Sequence, residues 1–444
     1  MKRILSLILC VLMLAALCGC GGSNVENPGT PTNPTNPTNP TDPTDPPAGP
    51  ATEGFRVGFG RTCIDPEEDG LTMDGGASYR SSTGVDDSIY ATCVAIKDAD
   101  HNTLLMFHMD LQNIKSAQLE PMLEAVVQAT GVAKDNITVT CTHSHRVPTP
   151  THTSNPKIVT YNAFLATQMA AAATAALNDL KVAEMYTASL EVEDAAFVRH
   201  YVHADGGYSG DNWAYYNAPM TGHAKEADNE MQLIKFTRVG GEDVVMMNWA
   251  AHGTMSGNKS TMISADYIGA IRDYLEDNTN CKFAFFQGAA GDQNPKSSIT
   301  TENKFSDFIE YGEYLGQAAE GATYTKQNTG KVQVLKQTYN EFPPSLNIWG
   351  IAIGDVAIVT APYEMFSGTG EAIKAASPFE TTFVLGYTNG NEGYMPTTEA
   401  RNYVQPDGSI VACYETNNCK YPDGTAEVLR DMFISALNTL YASK

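Results

Sequence analysis

From about Gly54 onward the chain alternates between two hydrophobic periodicities, and this alternation constrains its architecture more than any other feature. Strand-like runs cover Tyr90 to Ile96, Leu104 to Asp110, Ile137 to His145, Glu230 to Arg238, Val244 to Ala251, Lys282 to Gln287 and Asp355 to Thr360. Helical patterns lie between them at Leu119 to Thr130, Ala163 to Leu180, Tyr267 to Glu276 and Phe308 to Ala322, and a last one, Ala426 to Tyr441, closes the chain. Strands that take turns with helices predict an α/β fold, with mixed β-sheets flanked by helices. No internal repeat or linker interrupts the pattern, so residues 53–444 are expected to form one large catalytic domain.

The first fifty residues read differently. Met1-Lys2-Arg3 is a short basic region, and Ile4 to Leu17 is an apolar run too short to span a bilayer as a stable helix. It ends in Leu17-Cys18-Gly19-Cys20-Gly21, which resembles the lipobox of bacterial lipoproteins. The resemblance implies removal of residues 1–19, a lipid on Cys20, and a protein exported to the bacterial cell envelope and facing outward. Residues 20–52 are expected to be a disordered linker. From Pro31 to Pro46, P-T-N or P-T-D returns every three residues, the period of polyproline II, with no apolar face to bury.

A formal net charge of −23 excludes the Lys/Arg surface that nucleic acid requires. No protein partner is evident. Beyond Cys20 there are six cysteines, Cys63, Cys93, Cys141, Cys281, Cys413 and Cys419. None has C-x-x-C spacing, which argues against a cysteine-held zinc, and only Cys413 and Cys419 are close enough in sequence to suggest a small closed loop.

Histidine is scarce, nine residues in all, so its placement is informative. In N-I-T-V-T-C-T-H-S-H-R-V-P-T-P, Asn136 to Pro150, His143 and His145 share the parity of Ile137, Val139 and Cys141. Strand alternation would put all five on one face, ending just before Pro148. The run N-W-A-A-H-G-T delivers His252 to a second strand end, and D-V-A-I-V-T-A-P-Y-E delivers Glu364 to a third. Another strand ends F-F-Q-G-A-A-G-D-Q-N-P, Phe285 to Pro295, passing from bulky to small residues where backbone approaches something closely. Sites in open α/β sheets lie beyond strand ends, and two or three imidazoles plus a carboxylate make a zinc ligand set with a position left for water. The same residues also admit quieter readings. A strand-end histidine often lies capped at the surface, Glu364 would suit a helix N-terminus, and the G-A-A-G loop lacks the G-K-[ST] of a phosphate-binding loop.

Six segments, in order, resemble the catalytic domain of the neutral/alkaline (non-lysosomal) ceramidase family. They are F-R-V-G-F-G-R-T-C-I-D-P (Phe55 to Pro66), T-H-S-H (Thr142 to His145), N-W-A-A-H-G-T-M-S with I-S-A-D-Y-I-G (Asn248 to Gly269), the Phe285 to Pro295 loop, A-P-Y-E-M-F-S-G (Ala361 to Gly368) and N-E-G-Y-M-P-T-T (Asn391 to Thr398). By position, the resemblance implies zinc held by His143, His252, Glu364 and Tyr394. It assigns catalytic roles to His145, to Arg199 of A-F-V-R-H, and to Tyr414. The implied reaction is attack of zinc-activated water on the amide of an N-acyl lipid such as ceramide. His145 would act as general base and then proton donor, and Arg199 and Tyr414 would bind the oxyanion or headgroup. Asp266 or Asp110 would orient a ligand histidine from behind.

The chain departs from the family pattern in three places. Asn294 stands where the family has the serine assigned a nucleophilic role, and Arg146 and Val147 replace Ser and Gly. The sequence also ends at Lys444, so no C-terminal immunoglobulin-like domain is expected. These departures keep two alternatives open: a zinc hydrolase of a smaller amide or ester, and a surface-binding lipoprotein without turnover.

Overall fold

Two β-sheets stacked face to face, with helices on both outer sides, organise the chain in the computed structural model. It describes residues 54–75, 79–211, 213–215, 217–257, 259–296, 304–342 and 344–444. The expected signal segment, Cys20 and the proline-rich linker lie outside these residues. Glu53–Lys444 forms a single unit.

The first half of the chain supplies β1 (Arg56–Cys63), β2 (Tyr90–Lys97), β3 (Thr103–Met109), α1 (Ser116–Thr130), β4 (Ile137–Cys141), α2 (Pro156–Asn178) and β5 (Lys181–Glu191). Next come β6 (Glu230–Arg238), β7 (Asp243–Trp249), α3 (Tyr267–Asn278), β8 (Cys281–Gln287), α4 (Phe308–Glu320) and β9 (Thr325–Gln327). The chain ends with β10 (Val332–Tyr339), β11 (Leu346–Ile353), β12 (Val356–Thr360), α5 (Ser367–Ala376), β13 (Thr381–Leu385) and α6 (Thr425–Ala442). The larger sheet runs β8-β7-β6-β5-β1-β2-β3-β4, with β9 also paired to β5, and the smaller runs β10-β11-β12-β13.

Strand alternation divides the core. In β2, Cys93 and Ala95 face α1 and α2, while Val94 and Ile96 face the second sheet. In β7, Val245 and Met247 pack toward α3 and α4, while Val244 and Met246 enter the inter-sheet layer against Ile351, Ile358 and Phe383. The outer face of the small sheet, including Ile348, Val359 and Val384, is covered by Leu429, Phe433 and Leu437 of α6. Where both faces are covered, as in β2, β3, β7 and β8, the strands read as near-continuous apolar runs.

Most neighbouring strands are antiparallel, but β3–β4, β7–β8 and β12–β13 are parallel. Each parallel pair is joined through a helix, α1, α3 or α5, as a parallel connection requires. The carboxyl ends of both strands in each pair therefore lie at the same edge.

The expected α/β class holds. One strand boundary does not: β4 stops at Cys141, and His143 adopts φ 60°, outside the β region. His143 and His145 thus leave the strand and are not presented by simple alternation. All five residues of β4 are buried, Thr138 and Thr140 included, with the Thr140 hydroxyl 3.0 Å from that of Thr388. The loop closure suggested for Cys413 and Cys419 is absent, since all six described cysteines are free thiols. Among the described residues, no helix is long and apolar enough to cross a membrane.

Candidate metal centre

The three helical crossovers bring six strand ends together. Beyond β3 lies Gln112 and beyond β4 His143; β7 leads to His252 and β8 to Gln293; β12 leads to Glu364 and β13 to Tyr387. The loops interlock through hydrogen bonds. The His145 N–H donates to the Gly253 carbonyl at 3.0 Å, and the Gly291 N–H donates to the Met365 carbonyl at 2.7 Å. Two glycines permit this approach. A Cβ on Gly253 would lie 2.7 Å from the Ser144 Cα, and one on Gly291 would lie 2.5 Å from the Glu364 carbonyl oxygen. The small-residue run after Phe285 and Phe286 thus has the close backbone contact expected of it.

His143, His145 and His252 place ring nitrogens within 4.8 Å of one another. His145 Nε2 is 3.3 Å from His143 Nε2. Glu364 Oε2 lies 3.6 Å from His143 Nε2 and 3.7 Å from His252 Nε2. Two ring orientations are fixed from behind: His143 Nδ1 donates to the Gln112 carbonyl at 2.9 Å, and His252 Nδ1 to the Gln293 carbonyl at 3.1 Å. A carbonyl can only accept, so each Nδ1 carries a proton and each ring turns its Nε2 toward the cluster.

Burial pushes the His143 imidazole down to about 4, with His252 and Arg199 adding to the effect and Glu364 opposing it. His145 is held well below the usual imidazole range, first by burial and then by His143 and His252. Burial alone would raise the Glu364 carboxyl, but His143, His252 and Arg199 bring it to about 2. At neutral pH, uncharged imidazole lone pairs therefore face an ionised carboxylate. His252 Nε2 is buried with no hydrogen-bond partner. Acceptors facing acceptors is an arrangement that a cation resolves. Ligands about 2.0–2.1 Å from a tetrahedral zinc lie roughly 3.4 Å apart, close to the spacing seen here, so the residues fit the metal.

The remaining expected residues adjoin this cluster. Glu364 and Tyr394 are opposed in a short parallel pairing. The Tyr394 hydroxyl is 3.2 Å from Arg199 Nη2, and Arg199 is ion-paired to Glu415 at 2.7 Å. Tyr414 is half-exposed and stands edge-on to Tyr394 with ring centroids 5.8 Å apart. Thus all seven expected site residues lie in one neighbourhood, linked by these contacts.

The two aspartates expected behind the ligand histidines are different. Asp110 binds His108 and Arg272, each at 2.8 Å, and Asp266 caps α3 and holds the Met255 and Ser256 N–H groups. Neither bonds a candidate ligand; backbone carbonyls of Gln112 and Gln293 do that work. Asn294 donates to Asp211 at 3.0 Å, and an amide in place of the serine hydroxyl has no nucleophilic oxygen. Arg146 is tied to Asp86 and the Met262 carbonyl.

Sequence reasoning missed Tyr387, Asn391, His200 and Glu415. The Tyr387 ring lies 4.2 Å from that of His143, and its hydroxyl is 3.5 Å from Glu364 Oε2. Asn391 Nδ2 is 3.5 Å from Glu364 Oε1. Asn391 opens the N-E-G-Y segment and had a signal in its neighbour Tyr394; Tyr387, held at φ 52°, had none.

Residues 55–298, more than half of the chain, match the model for "Neutral/alkaline non-lysosomal ceramidase, N-terminal". The chain belongs to the neutral/alkaline non-lysosomal ceramidase family, which implies a hydrolase of amide bonds. Its fold is similar to that of the neutral ceramidase from Pseudomonas aeruginosa, with TM-score 0.69 and 17% identity over 87% of this chain and 74% of that one. It is also similar to a ceramidase complexed with C2, with TM-score 0.70 and 17% identity over 88% of this chain and 76% of that one. At this identity the likeness is one of fold. No curated protein matches the sequence.

Proposed function

We propose that the protein is a zinc-dependent amidohydrolase that cleaves the N-acyl bond of ceramide or a related N-acyl lipid. The observation that carries this reading is the convergence of His143 Nε2, His252 Nε2 and Glu364 Oε2, with both Nδ1 atoms held by backbone carbonyls. His143, His252 and Glu364 would hold the metal, with Tyr394 as the fourth candidate. Bound zinc lowers the pKa of water to about 7 and so supplies a nucleophile without a serine.

The chain's own residues do the rest. His145, kept in its neutral form, takes the proton of the attacking water and returns it to the amide nitrogen as the C–N bond breaks. The products are a carboxylic acid and an amine. Arg199, fixed beside Tyr394, and Tyr414 at the exposed edge donate to the carbonyl oxygen as it gains charge.

The ceramidase family and a fold relative complexed with C2 support a lipid substrate. The Asn294–Asp211 bond, formed where the family has its serine, favours a second reading, in which the substrate is a smaller amide or ester. The lipobox-like segment supports export and anchoring of the protein through Cys20 at the outer face of a bacterial envelope membrane.

Two measurements test the proposal: zinc content of the purified protein with and without His143→Ala, and hydrolysis of ceramide beside short amides and esters. Zinc lost in the variant and ceramide turnover in the wild type support it. Zinc with turnover of short substrates alone selects the second reading. A wild type without zinc ends both, and zinc without any hydrolysis leaves a binding protein.

A further inference from the structure

Behind Arg199 lies another buried group, His200, Cys413 and Glu415, with donor atoms all within 4.8 Å of one another. The spacing resembles a metal site, but the bonding does not. Glu415 Oε1 accepts from Arg199 Nη2 at 2.7 Å, and Oε2 accepts from His200 Nε2 at 3.0 Å. Both carboxylate oxygens are engaged, one of them by a permanent cation that would repel a metal ion. Burial, followed by the charge of Glu415, pushes the Cys413 thiol up to about 11, so its sulfur stays protonated.

The hydrogen bonds form a chain. His200 donates from Nε2 to the Glu415 carboxylate at 3.0 Å, and its Nδ1 is hydrogen-bonded with the Tyr403 hydroxyl at 3.2 Å. Tyr403 thereby fixes His200, His200 fixes Glu415, and Glu415 fixes Arg199. Arg199 then reaches the Gly291 carbonyl at 2.8 Å and the Tyr394 hydroxyl at 3.2 Å, while its Nε is buried with no partner. His200, Glu415 and Arg199 are all buried, which makes a mispaired member costly and a satisfied set rigid.

We propose that Glu415 is a positioning residue for the hydrolytic reaction, aiming the Arg199 guanidinium at the Tyr394 edge of the metal centre, with His200 and Tyr403 holding Glu415 in register. Glu415 is neither a metal ligand nor a partner of the scissile bond in this assignment. It acts through Arg199. The proposal rests on the amidohydrolase reading for the role of Arg199.

The test is a double-mutant cycle of Glu415→Gln and Arg199→Ala in the zinc-loaded protein, assayed on ceramide or, if ceramide is not cleaved, on the short amide that is. Misplacing a group by about an ångström costs roughly 10- to 100-fold in rate, so Glu415→Gln is expected to lower kcat by about that factor. KM and zinc stoichiometry should change little, and Glu415→Asp, which keeps the charge, should recover part of the loss. The double variant should be no slower than Arg199→Ala alone, as expected for residues acting as one unit. Losses that multiply independently, loss of zinc in Glu415→Gln, or an unchanged kcat overturns the proposal. If the wild type cleaves no substrate, the hydrolase reading fails by itself. Crystal structures then decide the positioning claim: Arg199 displaced from Tyr394 in Glu415→Gln supports it, and Arg199 unmoved ends it.

Discussion

One carbonyl oxygen, that of Gln293, receives two hydrogen bonds from His252, the main-chain N–H at 3.0 Å and Nδ1 at 3.1 Å. The backbone and the ring of the candidate ligand are thus set by the same atom. Gln293 is itself fixed by its side chain, which accepts from the Asp228 N–H at 2.7 Å and donates to the Asp228 and Ala250 carbonyls. Gln293→Ala removes these buried bonds and frees the loop that carries the carbonyl. Loss of such indirect support lowers metal affinity roughly 10- to 100-fold. Competition with a chromophoric chelator should show a fall of that size, although no candidate ligand has been changed.

Gly253 makes a separate prediction. A methyl group there meets backbone, the Ser144 Cα at 2.7 Å and the His143 carbonyl oxygen at 2.8 Å, so no side chain can yield. Gly253→Ala should destabilise the fold by about 1–3 kcal/mol and separate the two histidine-bearing loops. Urea unfolding and zinc titration of the same variant should both register the change. A shift in neither would mean that the loops have slack.

Acid sensitivity follows from Asp110. Burial alone would raise its carboxyl, but His108 and Arg272 bring it down to about 2. An unfolded aspartate titrates near 3.9, so the folded state holds this proton less tightly than the unfolded state. The resulting stabilisation is complete above about pH 4 and is lost as pH falls toward about 2. Asp110→Asn takes from buried Arg272 its 2.8 Å partner and leaves only the exposed Asp273 at 3.6 Å, a change that costs up to about 3–5 kcal/mol. The stability gap between wild type and variant, measured by denaturant unfolding, should therefore be wide at neutral pH and should narrow below about pH 4. A gap that stays constant into that range would contradict the assignment.

Removing the metal should be visible in the fold. Chelation leaves His143 Nε2, His252 Nε2 and the ionised Glu364 without a shared cation, and a ligand present at 100–1,000 times its Kd stabilises by about 3–4 kcal/mol. Calorimetry of the zinc-loaded protein should show a lower Tm after chelation and recovery on adding zinc. In His252→Ala the chelator should have little left to remove.

The fold class was legible because β2, β3, β7 and β8 are near-continuous apolar runs with amphipathic helices between them. β5 and β10 were harder to read. Lys181, Glu184, Lys336 and Gln337 interrupt their runs and dilute the apolar signal. His252 and Glu364 were readable as chemistry placed at strand ends. His143 and His145 were found by an alternation that stops at Cys141, so two residues that cluster with His252 emerged from a geometry the chain does not adopt. Glu415 and Tyr387 were beyond reach because their partners lie far away in sequence: Arg199 is 216 residues before Glu415, and His143 is 244 before Tyr387.

The left-handed backbone of His143, φ 60°, separates what this position costs the fold from what it gives the site. Glycine adopts that conformation without strain, whereas alanine keeps a penalty of about 1 kcal/mol. His143→Gly should therefore be the more stable of the two variants while lacking the same ring. It also leaves an imidazole-shaped space bounded by the Gln112 carbonyl and the Tyr387 ring. Free imidazole added to His143→Gly should restore hydrolysis in a concentration-dependent manner, and it should do so less well in His143→Ala. Such complementation would make the activity of the His143→Gly variant conditional on a small diffusible molecule.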